Sequence, residues 1–102
     1  MASTDLMHRI VALQQFDGSF NLDPTVCAAI SVNHTVVSQR AQQRGWDSKA
    51  FAVTLVLAFL KEKLASLQDD WELIADKSRI WLMQNAAHKA DEMFDEAVKI
   101  VA

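Results

Sequence analysis

The side chains through which this chain could do chemistry are few: His8, His34, His88, Cys27 and the acidic pairs Asp69-Asp70, Asp91-Glu92 and Asp95-Glu96. Catalysis needs such groups to converge on one pocket, and a metal site needs them at ligand spacing. The histidines lie far apart in sequence, with no H-x-x-x-H pair, and read as surface residues. Cys27 has no second cysteine for a disulfide or a zinc-type pair. Set between Val26 and Ala28-Ala29-Ile30, it reads as a small buried apolar side chain. A reactive thiolate would want a nearby base; His34 is the nearest in sequence, and nothing fixes the two in contact. Asp69-Asp70 stands at a helix start and the other two pairs on the outer face of the last helix, so capping and solvation account for them. Asp17-Gly18-Ser19 superficially resembles a phosphate-cradling loop, but a plain helix-connecting turn explains it. P-loop, dinucleotide fingerprint and nucleophile elbow are all missing. No catalytic, cofactor-binding or metal-ligating residue is therefore expected, and no enzymatic activity.

The elements that would position any site are helices. Thr4 or Asp5 can cap a first helix from Asp5 to about Gln15, with Leu6, Ile10, Leu13 and Val11 on its inward face. Phe16 and Phe20 then flank the Asp17-Gly18-Ser19 turn and are expected to plug it into the core. Asp23 can cap the next helix, with Pro24 at its first position. Residues 31–38 are rich in β-branched side chains, which weakly favours a strand. Val32, Val36, Val37 and Ala41 also fit one helical face, and no partner strand is visible, so the segment reads as a helix from about His34 to Arg44. Gly45 ends it, Asp47 or Ser48 caps the next helix, and Trp46 can staple back onto that helix. From Ala50 to Leu60 only Thr54 is polar, which marks a central helix buried on all sides, spanning about 48–65. Eleven residues are too few to cross a bilayer, which takes about 20. Asp69 or Asp70 is expected to cap a further helix carrying Trp71, Ile74, Ser78, Trp81 and Leu82 on one face. The stripe continues through Ala86, Ala90, Met93, Phe94, Ala97, Val98 and Val101, with Asn85 as the weak point. The tail is either an extension of the same helix or a separate last one.

Composition narrows the class. The chain has 102 residues, 51% of them hydrophobic, with two Gly and one Pro. That suits one all-α domain, a bundle of five to six helices around the central apolar helix, with a core over about 5–83 and a helical tail over about 84–102. Net charge is −3, so nothing marks nucleic acid as a partner. Arg40, Arg44 and Lys49 are the one local basic group and read as a solvated face. No membrane association is expected. A lone cysteine and the lack of a signal peptide point to a reducing, cytoplasmic setting, and the abrupt start suggests a domain cut from a longer protein.

Three segments carry a resemblance. Leu13-Gln14-Gln15-Phe16-Asp17-Gly18-Ser19-Phe20-Asn21-Leu22 resembles the LQ-x-x-DGSW-x-L motif in the C-terminal region of proteins that combine VIT and von Willebrand factor A domains. Ala52-Val53-Thr54-Leu55-Val56-Leu57-Ala58-Phe59-Leu60 is similar to the WATALALAFL helix of that family. Trp71, Lys77 and Trp81-Leu82 are similar to its closing W…KA-x-x-WL pattern. The three occur in the family's order over roughly residues 6–83, with Phe20 and Phe51 where the family often has Trp. The wider group includes vault poly(ADP-ribose) polymerase, whose C-terminal region binds the major vault protein. The resemblance thus implies a non-catalytic protein-interaction module that docks its parent onto a larger assembly, with major vault protein as the partner to consider. The alternative is a structural or self-association domain that forms homodimers.

The residues expected to bind a partner are in the tail, beyond the resemblance. Met93, Phe94, Val98 and Val101 follow one another at spacings of one, four and three, on one helical face. Such a stripe must pack on the domain itself, on a second copy or in a partner's groove. Trp46, at a helix boundary, is the other candidate anchor.

Overall fold

The computed structural model describes residues 3–101. Their order is α1 (Ser3–Leu13), α2 (Pro24–Ala29), α3 (His34–Arg44), α4 (Ser48–Lys63), α5 (Gln68–Ala86) and α6 (Ala90–Val101), with 3-10 turns at Ala65–Leu67 and Ala87–Lys89. No strand occurs among the described residues, so the domain is all-α. Short polar side chains start three of the helices. Asp23 Oδ1 accepts from Val26 N–H at 2.8 Å, Asn33 Oδ1 from Val36 N–H at 3.0 Å, and Asp47 Oδ2 from Ala50 N–H at 3.0 Å. Each fills one of the orphan donors that a helix leaves at its N-terminus. Gly45 stops α3 at φ 70°, a left-handed conformation that a residue without Cβ takes at little cost.

Every residue from Ala50 to Leu60 is buried. An α4 apolar all round has to be covered on every side, and α5 and α6 supply most of that cover. The lone polar side chain of this run, Thr54, is satisfied within the helix, its hydroxyl donating to Phe51 O at 2.8 Å. Trp71 of α5 is buried, and its indole N–H donates to Leu64 O at 2.7 Å, just past the end of α4. That bond ties the α4–α5 corner, at a carbonyl that also accepts from Leu67 N–H at 2.9 Å. Asp69 and Asp70 do not cap α5. The residue before it is Leu67, with no side-chain cap, and the two aspartates lie in the first turn, where the helix dipole favours a carboxylate.

The tail is a separate helix and part of the core. At Ala86 the backbone leaves the helical region (φ −151°, ψ 32°), next to Asn85, whose amide donates back to Trp81 O at 2.8 Å. The α4–α6 pairing that follows is the most extensive between any two elements described. Ala90, Met93, Ala97 and Val101 are buried along it. Two ion pairs hold α6 on its other flank. Arg40 Nη1 of α3 donates to Glu96 Oε2 at 2.9 Å, and Arg44 Nη2 lies 3.7 Å from Glu96 Oε1. Arg40 and Arg44 are therefore not merely a solvated basic face, and Glu96 is not an outer-rim residue: its side chain keeps only 14% of its exposure.

Candidate protein-docking surface

The Gln14–Phe20 segment is a rigid bracket on α5. Gln14 Nε2 donates to Ile74 O at 2.8 Å and to Ser78 Oγ at 2.9 Å. Ser78 Oγ in turn donates to Gly18 O at 2.6 Å. Within the turn, Gly18 N–H donates to Gln15 O and Gln15 N–H to Ser19 O, both at 2.9 Å. Asp17 Oδ1 accepts from the Ser19 hydroxyl at 2.7 Å and the Ser19 amide at 3.0 Å. Those two donors hold the Asp17 carboxyl below its ordinary pKa. The amides of Gly18 and Ser19 are thus already bonded inside the turn, which leaves no cradle of free N–H groups for a phosphate.

Gly18 is required by two independent facts. Its φ is 95°, and a Cβ there would lie 2.6 Å from the carbonyl oxygen of Lys77. The Lys77 carbonyl belongs to the α5 backbone and cannot move aside without bending that helix. Gly18→Ala is expected to lower stability by at least about 2 kcal/mol, read as a shifted midpoint in urea with an unchanged slope. A midpoint within error of the parent would show that the bracket is free to lift off α5.

The bracket buries one phenylalanine and exposes the other. Phe20 is in the core at 1% exposure, while Phe16 is 92% exposed. Phe16 is therefore not the core plug its flanking position suggested. From Gly18 to Phe20 the turn is buried, while Gln15, Phe16 and Asp17 before it are exposed. Phe16 precedes Gly18, the residue seated against Lys77 of α5, by two positions. On that helix Leu73 is 83% exposed, Ile80 60% and Met83 52%. Their spacings of seven and three put them on one stripe, facing away from buried Trp71, Ser78 and Leu82.

The anchors expected in the tail lie elsewhere. Met93 and Val101 are buried in the α4–α6 pairing, and Phe94 and Val98 are half-buried against the same core. Trp46 is buried too. Its ring lies 5.1 Å from that of Phe51, and the Arg44 guanidinium caps it at 5.6 Å. None of Met93, Val101 and Trp46 is available as a partner anchor, because α4 needs their surface to cover its own apolar sides. The outward stripe of α5 was visible in the sequence as a second apolar set, at a different phase from the inward one. The inward set is larger and contains both tryptophans of α5, so it masks the other.

The titratable groups do not converge. Cys27 is buried, and burial pushes its thiol up, with the Asp23 carboxylate adding to the effect. That is the opposite of what a nucleophile needs. His34 Nε2 lies 3.1 Å from Leu22 O, which engages the one nearby base. Among the described residues no group of three or more His, Cys, Asp or Glu is gathered for a metal ion, and no helix is long and apolar enough to cross a membrane. Comparison with models of known protein families, with curated proteins and with solved structures finds no match.

Proposed function

We propose that the chain is a non-catalytic interaction module that docks its parent protein onto a larger cytoplasmic assembly through Phe16 and the Leu73–Ile80–Met83 stripe. The observation that carries this reading is Phe16, an aromatic side chain 92% exposed on a turn held by internal hydrogen bonds. Exposing a large apolar ring gains the isolated domain nothing, while a rigid aromatic anchor loses little entropy when a partner covers it. The likeness to the C-terminal region of VIT and von Willebrand factor A proteins makes major vault protein the first partner to test. Self-association is the second reading, and the exposed stripe of α5 is the surface it would use.

Immobilised domain is expected to retain major vault protein, and Phe16→Ser with Leu73→Ser to abolish retention. Both side chains are solvent-exposed, so the double variant should keep its stability within about 1 kcal/mol of the parent. Light scattering of the parent alone separates the two readings, since a dimer lost in the same variant assigns the stripe to self-association. Retention undiminished by the double variant would place the docking surface elsewhere.

A further inference from the structure

The molecule also has a concave feature that no residue of the bracket lines. It is a cleft of about 400 Å³ between α4, the turn after it, α5 and α6. Leu57, Trp71 and Phe94 supply its apolar wall, and Lys61 and Arg79 are the charged residues that line it. No carboxylate is among the lining residues, in a chain with 13 acidic against 10 basic side chains. Lys61 and Arg79 are thus the charged groups a ligand in the cleft would meet, and Asp76 already pairs with Arg79 from outside the lining.

The two cations differ in how far they are occupied. Arg79 Nη1 is held by Asp76 Oδ1 one turn earlier on α5, but a guanidinium has five N–H donors, and others stay open. Lys61 is exposed and takes part in no ion pair among the described residues. Its position in the last turn of α4 also complements the helix dipole, which explains a cation there without a ligand. The dipole does not explain why an apolar cleft opens beside it. Trp71 is pinned by its bond to Leu64 O, so that wall is fixed before anything binds. The volume falls in the range of small-ligand sites, where apolar walls give affinity and a few polar groups orient the ligand.

We infer that this cleft is a binding site for a small amphiphilic carboxylate, its alkyl or aryl body against Leu57, Trp71 and Phe94 and its carboxylate between Lys61 and Arg79. The cleft shares no lining residue with the surface proposed for protein docking, and neither Phe16 nor Leu73, the two side chains replaced to test that surface, borders it, so either can fail without the other.

Decanoate is the probe, titrated into the whole chain and followed by amide and indole NMR shifts. Saturable shifts are expected at Leu57, Trp71 and Phe94, with a Kd near or below about 1 mM for a ligand of this size. Lys61→Glu should weaken binding about tenfold or more, as loss of a charged hydrogen-bond partner does, and decanol should bind weaker than decanoate by a similar factor. Arg9→Glu, which changes net charge equally but lines no part of the cleft, should leave Kd within about twofold. Phe16→Ser should leave decanoate binding intact. The inference is overturned if decanoate shifts none of the three wall residues, if decanol binds as tightly, or if Lys61→Glu and Arg9→Glu weaken binding equally.

Discussion

Leu55→Asp is expected to eliminate the folded state. Leu55 is fully buried at the middle of α4, the helix covered on every side. The substitution removes a core side chain, a loss of about 2–5 kcal/mol, and leaves in its place a carboxylate with no cation to pair with. Together these are comparable with the roughly 5–15 kcal/mol by which native proteins are stable. The neutral acid offers only partial relief, because a protonated carboxyl still buries a donor and an acceptor. Far-UV circular dichroism at neutral pH should show most helix lost and no cooperative melt. A sigmoidal transition within a few degrees of the parent would mean that α4 is accessible to water.

Removing α6 by ending the chain at Lys89 should be almost as severe. Read from sequence, the core over 5–83 could close without its tail. Ala90, Met93, Ala97 and Val101, however, are buried where α6 pairs with α4. Truncation strips that side of α4 and leaves Arg40 and Arg44 without the Glu96 carboxylate. Met93 alone, trimmed to Ala, is worth about 2–5 kcal/mol, and the lost packing of the whole helix approaches the stability of the domain. The truncated chain should unfold without a cooperative transition and expose apolar surface that binds a reporter dye. A truncated chain melting at the parent's temperature would make α6 an appendage and return Met93 and Val101 to the surface.

The two variants test different links. Leu55→Asp asks whether an unbroken apolar run forces a buried helix. The truncation asks which helix does the burying. The first follows from composition along eleven consecutive residues, the second from how the chain folds back on itself.

Local rules determined much of this protein without reference to any distant contact. The Asp23-Pro24 start of α2, the left-handed Gly45 at the end of α3 and the Asp47 cap of α4 depend on groups within four residues of one another. The segment at 34–44 is helical despite its β-branched residues, and among the described residues there is no strand to pair with it. Burial of α4 was equally legible, since a run apolar on every face admits one environment. What remained open was which side of an ambiguous element meets the core. Phe16 and Phe20 are the same residue type on either side of one turn, and nothing local ranks them; in the folded chain, with Gly18 seated on Lys77, Phe20 is buried and Phe16 is exposed. The two apolar stripes of α5 differ in phase but not in kind, and the inward one is chosen by the Trp71 bond to Leu64 O and by Ser78 reaching Gly18. Met93 and Val101 could serve a partner or their own domain by any periodicity argument. They serve their own because α6 lies along α4, and both side chains are buried there. Periodicity reports that a face is apolar, whereas the identity of what covers it is a property of the assembled fold.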